Sequence, residues 1–245
     1  MAEIFPKAPI TEGLIDIRVQ LPGNVFLADL ERLHPKIKDA YPDKKTRRMV
    51  QATLELKDEK DPLQTAHIEE DGYFFITSDG RQIVQYRLDG FTFSRLRPYS
   101  KWEDVFSEAR RLWDIYRTST KPILVSRLAV RYINSIEIPS KTFDLEDYFT
   151  APPKIPKGLP DTLRTFFTRL VIPFPDRGVE AIVMQTPADK QDPVKSAIIL
   201  DIDVYAEVSL PSEDARIYEI LSILRKTKNE VFLSCITEKT KELFR

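Results

Sequence analysis

The chain has 245 residues, and its 37 lysine and arginine residues against 38 acidic residues leave a formal net charge of -1. This balance excludes the broad attraction to nucleic acid or anionic lipid that a strongly basic protein shows, and the length allows roughly 70% of the unfolded surface to be buried without a structural metal. The only cysteine, Cys235, excludes an internal disulfide and a cysteine-based zinc site.

The first quarter of the chain predicts a strand, a helix and a second strand. Residues 14–21 alternate between apolar and polar, which is typical of a half-buried strand, and Asp16 and Arg18 lie on its polar side. The turn that follows ends at Asn24, which we expect to cap a short helix. Renewed alternation over residues 50–56 predicts the second strand.

Residues 73–97 carry two Asp-Gly pairs, Asp79-Gly80 and Asp89-Gly90, between three β-rich runs. We predict a three-stranded meander with two-residue turns, in which both central residues adopt positive φ. Pairing outward from the turns divides the side chains between two faces. The apolar face holds Tyr73, Phe75, Val84, Tyr86, Leu88, Phe91 and Phe93, and the mixed face holds Phe74, Ile76, Ile83, Gln85, Arg87, Thr92, Ser94 and Leu96.

A long helix is predicted directly after the meander. Ser100 and Glu103 match the S-x-x-E capping box, with Ser100 as the capping residue. Apolar residues then recur at intervals of three and four, which predicts one wide stripe that packs against the sheet. The stripe consists of Trp102, Val105, Phe106, Ala109, Leu112, Trp113 and Tyr116.

The second half of the chain repeats this order of elements. We predict a long strand, a proline-rich segment with one or two short helices, three strands, a long helix opened by Ser212 and a short helix capped by Thr237. The corresponding ranges are 123–138 for the long strand, 139–160 for the proline-rich segment, and 166–174, 179–186 and 197–208 for the three strands, with a polar loop over 187–195.

The repeated order predicts one compact α+β unit made of two similar strand–helix–strands–helix halves, residues 1–120 and 121–245. It resembles the TATA-binding protein fold, in which two such halves share a curved antiparallel sheet with long helices on one face. This resemblance concerns topology and transfers no function. A helix-grip fold of the pollen-allergen type is the alternative.

Several common chemistries have no motif in this sequence. No two of the seven glycines are closer than eight residues, which excludes a GxGxxG fingerprint and a Walker loop. The two histidines, His34 and His67, have no partner at metal-ligand spacing, and we expect both in solvated loops. Cys235 lies in an apolar stretch and is expected to be a small core residue. The sequence therefore predicts no metal and no cofactor, and it favours a binding role over an enzyme.

Five runs spread over most of the chain resemble a known group of sequences. They are PITEGLIDIRVQLP, DGFTFSRLRPYSKWEDVFSEARRLWDIY, SRLAVRYINSIEIP, LDIDVY and LRKTKNEVFLSCITEKTKELF. Together they resemble an uncharacterised, sporadically distributed bacterial protein family of this length with no established activity. The resemblance implies a stand-alone cytoplasmic protein, and it implies no catalytic residues.

Candidate functional residues lie on the polar sides of the predicted strands. Asp201 and Asp203 alternate with apolar residues, so both carboxylates point to one face about 7 Å apart. If the polar sides of all strands form one side of a single sheet, they create a concave surface. We therefore predict a ligand-binding site that consists of Gln85, Arg87, Arg127, Arg131, Asp201 and Asp203.

This surface favours a module that binds a small anionic ligand or a protein partner, and we expect a homodimer. The simplest alternative is a set of cross-strand ion pairs that faces water. A third interpretation is a phosphoryl-transfer or phosphohydrolase enzyme, in which Asp201 and Asp203 hold Mg²⁺ or Mn²⁺ and arginines bind phosphate.

Two further partner classes are not favoured by the sequence. Nucleic-acid binding depends on short basic runs at residues 44–48 and 226–228, whose charges we expect to be solvated in this neutral chain. Residues 1–9 have no apolar run of the signal-peptide type, and no stretch reaches the roughly 18 apolar residues of a membrane span. We therefore expect a cytoplasmic protein that does not enter membranes.

Overall fold

The computed structural model describes residues 5–55, 63–160, 162–188 and 194–245, without the side chains of residues 50–55 and 63–67. Within these residues the chain forms nine strands and five α-helices, so the fold is of the α+β class. The strands are β1 (Ile10–Gln20), β2 (Asp43–Glu55), β3 (Leu63–Ile76), β4 (Gln82–Arg87), β5 (Gly90–Leu96), β6 (Leu124–Ile138), β7 (Thr168–Phe174), β8 (Val179–Pro187) and β9 (Ser196–Leu210). The helices are α1 (Leu27–Glu31), α2 (Trp102–Thr120), α3 (Leu145–Tyr148), α4 (Arg216–Cys235) and α5 (Glu238–Glu242).

The nine described strands form one open sheet in the order β2-β3-β4-β5-β1-β6-β9-β8-β7. Every neighbouring pair is antiparallel, and β1 and β6 pair with each other near the middle of the sheet. α2 packs on β5, α1 on β3 and β4, and α4 on β9 and β6. The outermost strand β7 lies two strands beyond β9, at the far end from α1.

The predicted apolar face of the meander is confirmed. Tyr73, Phe75, Val84, Tyr86, Phe91 and Phe93 are all buried, and only Leu88 is half-buried at the turn. The face packs against α2, where the Tyr86 hydroxyl donates to the Leu112 carbonyl at 3.1 Å and the Tyr116 hydroxyl donates to the Arg87 carbonyl at 2.7 Å. The apolar stripe of α2 is therefore core, as its spacing predicts.

The predicted two-residue Asp-Gly turns are wrong in detail. Between β4 and β5 the two turn residues are Leu88 and Asp89, and Gly90 already belongs to β5. Gly90 is needed for close packing of strands, because a Cβ there would collide with the carbonyl oxygen of Ile17 on β1. Between β3 and β4 the loop has five residues, 77–81, closed by the Asp79 carboxylate, which accepts from the Thr77 hydroxyl at 2.6 Å.

Two predicted helix caps are also wrong, and a third is confirmed. α2 begins after Lys101, and no side chain caps it, so Ser100 is not the capping residue. α1 begins after Phe26, whose N–H donates to the Asp29 carboxylate at 2.9 Å, in place of a cap by Asn24. Acidic residues in the first turn stabilise both helices through the helix dipole. Thr237 does cap α5, since its hydroxyl accepts from the Thr240 N–H at 3.3 Å.

The second half follows the predicted order of elements. The long strand β6, the strands β7, β8 and β9 and the helix α4 are all present, and α4 begins at Arg216, four residues after Ser212. The proline-rich segment contributes α3, with Tyr148 buried. Residues 189–193 of the predicted polar loop and the end of the predicted strand at residue 56 lie outside the described residues. In the described part of the chain, no helix combines the length and apolar character needed to cross a membrane.

Candidate functional site

Residues of seven strands align at one level on the polar face of the sheet, the face away from the helices. The register places Arg47, Gly72, Arg87, Gly90, Arg18, Arg127 and Glu207 side by side on β2, β3, β4, β5, β1, β6 and β9. Residues directly opposite each other on antiparallel strands share a face, so the four arginines project to the same side. We call Arg47, Arg87, Arg18 and Arg127 the arginine row.

Two glycines explain why one arginine of this row is buried. Arg87 is only 3% exposed, and Gly72 and Gly90 flank it on the neighbouring strands. A Cβ at Gly72 would lie 3.1 Å from Cγ of Arg87, and a Cβ at Gly90 would lie 3.2 Å from its Nη2. The Arg87 side chain therefore lies along the sheet, in space that two absent side chains leave.

Asp16 on β1 is a buried carboxylate that joins the arginine row. Its Oδ2 accepts from Nη2 of Arg87 at 2.9 Å and from the Thr92 hydroxyl at 2.7 Å. Its Oδ1 accepts from Nε of Arg18 at 3.1 Å and lies 3.7 Å from Nη1 of Arg127. Burial raises the pKa of Asp16, but Arg87 and Arg18 outweigh burial and hold that pKa below its ordinary value.

Asp89, in the turn between β4 and β5, closes the network from the other side. Its carboxylate accepts from Nε of Arg87 at 2.8 Å and also from Arg18. Gln85 lies at the margin, because its amide oxygen is 3.5 Å from Nη1 of Arg87. The arginine row is thus held by carboxylates along its length, and Arg47 pairs in the same way with Asp71 on β3.

The two aspartates of β9 each pair with an arginine of β6. Nη2 of Arg127 donates to Oδ2 of Asp203, and Nε of Arg131 donates to Oδ1 of Asp201, both at 2.9 Å. Burial raises the pKa of Asp203 above its ordinary value, although Arg127 acts in the opposite direction. Oδ1 of Asp203 is buried and accepts no hydrogen bond from the described residues.

The six predicted site residues all lie on this face, but the structure does not bring all of them together. Arg87 and Arg127 meet at Asp16, and Asp203 joins them through Arg127. Arg131 and Asp201 form a separate pair, and Gln85 is marginal. Asp16 and Arg18 were not among the predicted site residues. Their role depends on the register of β1 against two neighbours, which no local pattern of the sequence encodes.

An open depression of about 580 Å³ lies where the arginine row ends. It is lined by Arg18, Ser126, Arg127 and Glu207. Both arginines are half-buried, and Arg127 lies over the ring of Tyr205, 4.4 Å from its centre. In contrast to the buried Arg87, these two guanidinium groups are open to a molecule in solution.

The two aspartates of β9 do not form a metal centre in the described residues. In that part of the chain, no group of three or more His, Cys, Asp or Glu side chains is arranged to hold a metal ion. Both oxygens of Asp201 accept from Arg131, and Oδ2 of Asp203 accepts from Arg127, so only Oδ1 of Asp203 is left for a cation, fewer oxygens than Mg²⁺ or Mn²⁺ requires. Metal-dependent phosphoryl transfer therefore stays a prediction from the sequence, without a supporting contact.

The first basic run lies on a strand and is largely paired. It belongs to the edge strand β2, where Lys44 bonds Glu31 and Arg48 bonds Glu70 at 3.3 Å. The expectation of solvated charge is confirmed for Lys44, Lys45 and Arg48, which are exposed, but the run lies on a strand and not in a loop. Acidic side chains also compensate this run, which leaves little positive charge for a phosphate backbone.

Lys228 of the second run is buried, contrary to expectation. It is 7% exposed on α4, and its Nζ lies 3.7 Å from the centre of the Tyr132 ring on β6. The Tyr132 hydroxyl is hydrogen-bonded to that of Tyr99. Burial lowers the pKa of Lys228 to about 7, and among the described residues no carboxylate pairs with it. The sequence predicted that Lys228 lies on the surface of a helix. Its burial could not be predicted, because it depends on how α4 crosses β6.

The surroundings of His34 and Cys235 fit a structural role and not a catalytic one. His34 is half-buried, its ring stacks on Phe75 at 4.8 Å, and its Nε2 lies 2.9 Å from the Tyr41 carbonyl oxygen. The expectation of a solvated loop is wrong for His34, and His67 lies in β3, with its side chain outside the described residues. Burial raises the pKa of the Cys235 thiol to about 11, which disfavours the reactive thiolate.

Comparison with known proteins assigns neither a family nor a function to this chain. Neither a protein-family model nor a curated protein matches the sequence. The resemblance to a bacterial family described above therefore stays a prediction, and a function has to be argued from the chemistry of the polar face.

Proposed function

We propose that this protein is a binding module that holds a small anionic ligand in the depression at the end of the arginine row. The observation that carries the proposal is the position of Arg18 and Arg127, which line the same depression and contact the same buried carboxylate of Asp16. Because Asp16 holds both guanidinium groups in position, less side-chain freedom is lost when a ligand binds.

The donors that remain on these arginines suit a carboxylate or a phosphate. Arg127 uses one N–H for Asp203, and its flat face rests on Tyr205. A guanidinium carries five N–H donors in a planar fork, so further donors are left for an incoming anion. Charge-assisted bonds of this kind are about twice as strong as neutral ones.

The rim of the depression suggests more about the ligand. Ser126 is exposed beside Arg127 and offers a hydroxyl group. Glu207 is also exposed and lies directly opposite Arg127 in the register of β6 and β9. A carboxylate at the rim repels a purely anionic molecule but accepts hydrogen bonds from an ammonium or hydroxyl group. The favoured ligand therefore carries one anionic group next to a hydrogen-bond donor.

Calorimetric titration with inorganic phosphate, citrate, amino acids and nucleoside monophosphates tests the proposal. We expect at least one probe to bind and Arg127→Gln to weaken its binding at least tenfold, since each lost charge-assisted bond contributes more than 1.4 kcal/mol. Arg131→Gln is the matched control, because Arg131 lies on the same strand and face but does not line the depression. The proposal fails if no probe binds, or if both variants weaken binding equally.

We also propose the finer architecture, two similar halves of the TATA-binding protein type. The support is that β1 and β6, the first strand of each half, lie side by side, and that each half ends in a long helix, α2 or α4. Superposition of residues 10–120 on residues 124–235 tests it, since related halves must align β1 with β6 and β5 with β9. A cytoplasmic location and the bacterial origin remain predictions from the sequence.

A further inference from the structure

The edge strand β7 exposes apolar side chains on both of its faces. Leu170 and Val171 are 48% and 46% exposed, and Ile172 and the preceding Phe167 are exposed as well. α4 packs mainly on β9 and β6, so among the described residues no helix covers β7. A long apolar edge strand is a template for pairing with another chain, and folded proteins usually cover or charge it.

The opposite edge of the sheet is protected in the usual way. β2 carries four basic side chains between Lys44 and Arg48, and charged residues on an edge strand oppose pairing with a second strand. β7 carries a single charged residue, Arg169, among seven. The two edges therefore differ in kind, and β7 is the one suited to an interface.

The hydrogen-bond ladder determines which backbone groups of β7 point away from β8. The N–H of Ala188 donates to the carbonyl of Ala197 at 2.8 Å, so Ala188 and Ala197 are a hydrogen-bonded pair. From this pair, every second residue of β8 bonds β9 and the residues between them bond β7. By this alternation Arg169, Val171 and Pro173 turn their backbone groups outward. Proline is tolerated there because it needs no N–H toward β8. Two N–H groups and three carbonyl groups thus remain for another strand.

Charges at the two ends of β7 favour a second copy of this chain as the partner. Arg164 and Arg169 are exposed at the first end. Asp176 and Glu230 flank the turn after the other end, where Arg177 bonds Glu230 at 2.6 Å and leaves a net negative charge. An antiparallel second copy brings the basic end of each strand beside the acidic end of the other, so that the complementarity occurs twice.

We propose that β7 pairs with β7 of a second copy across a twofold axis near Val171. Val171 then pairs with the partner's Val171, and the N–H of Arg169 donates to the carbonyl of the partner's Pro173. All outward N–H groups of both strands find acceptors, and Leu170 packs beside the partner's Ile172. The surface contains no residue that lines the depression, so this proposal and the proposed function fail separately.

Sedimentation over a hundredfold range of protein concentration tests the proposal. We expect the mass to rise from 28.4 kDa to twice that value. Val171→Lys places like charges at the axis and is expected to raise the dimer dissociation constant at least tenfold. Val171→Pro removes an outward N–H without removing a bond to β8, and it is expected to act in the same direction. Phe26→Lys, at an exposed apolar residue before α1, is the matched control and should leave the dimer unchanged.

Hydrogen exchange locates the interface independently. The amide hydrogens of Arg169 and Val171 are expected to exchange slowly at dimer-forming concentration and rapidly in the Val171→Lys variant. Three results would overturn the proposal: a monomer throughout the concentration range, a dimer that both Val171 variants leave intact, or protection of this edge only by a different protein.

Discussion

Two arginine–aspartate pairs on the same face of this sheet have the same chemistry and different surroundings. Arg87 donates one bond of 2.9 Å to Asp16, and Arg131 donates two bonds to Asp201, of 2.9 and 2.5 Å. The Arg87 side chain is almost fully buried, whereas that of Arg131 is 37% exposed. The residue types alone therefore do not determine how much each pair contributes to stability.

The strands on either side of each arginine account for the difference. Gly72 and Gly90 flank Arg87 and leave space in which its side chain lies along the sheet. Arg131 instead lies between Leu14 on β1 and Asp203 on β9, whose side chains occupy the space beside it. Both aspartates are buried, so the difference lies in the arginines. A pair with both members buried is costly to break, while a pair with a partly solvated arginine contributes less.

The largest expected effect is that of Arg87→Ala. Removal of the guanidinium leaves Asp16 charged and buried. We expect the free energy of unfolding to fall by about 3 kcal/mol, which is the lower end of the range for breaking a buried ion pair. The lower end applies because Arg18 still donates to Asp16. Urea denaturation at neutral pH measures the change. Addition of Asp16→Asn to this variant should restore part of the loss, since an amide carries no charge. A loss no larger than that of Arg131→Ala would contradict the explanation from burial.

Lys228 extends the comparison to a buried charge without a carboxylate partner. Its pKa is lowered by burial to about 7, below the ordinary 10.5, so between these pH values the unfolded chain binds more protons than the folded one. The free energy of unfolding should therefore rise as the pH rises from about 7 to about 10. Lys228→Met is expected to stabilise the fold by about 2 kcal/mol at pH 7 and to remove this rise.

Denaturation curves of wild type and Lys228→Met across that pH range provide the measurement. Lys226→Met, two residues away on the exposed side of α4, is the matched control and should leave the pH dependence unchanged. Equal pH dependence in wild type and Lys228→Met would show that Lys228 is not the titrating group.

The smallest expected effect is that of Arg131→Ala. Its side chain is partly solvated, so its removal opens the buried Asp201 to water, and we expect the free energy of unfolding to fall by about 1 kcal/mol. Because a partly exposed pair is screened by salt, the difference from wild type should shrink further at high ionic strength. The same urea series at low and high salt measures both quantities. A loss that approaches that of Arg87→Ala would mean that Asp201 depends on Arg131 as strongly as Asp16 depends on Arg87.

Local patterns in the sequence were sufficient for the order of the elements and for the inward side of the meander and of α2, but they missed the first halves of β2 and β3, where loops were expected. Alternation predicted the strands and placed Tyr86 and Phe91 in the core, and the spacing of apolar residues predicted α2 and α4, because periods of 2 and 3.6 are properties of a single element. Turn and cap details were less predictable. Several side chains compete for the same backbone N–H groups, and Gly90 serves the packing of β1 instead of a turn.

The site and the free edge depend on how the strands are ordered, which no single stretch of sequence contains. The arginine row exists only because β1 lies between β5 and β6, so that Arg18 is aligned with Gly90 on one side and Arg127 on the other. Burial of Lys228 needs the crossing of α4 over β6, and the exposure of β7 needs its position at the end of the sheet. The sequence thus determined which residues are polar, apolar or charged on each strand, and the tertiary structure decided which of them meet, because register and strand order arise from contacts between distant parts of the chain.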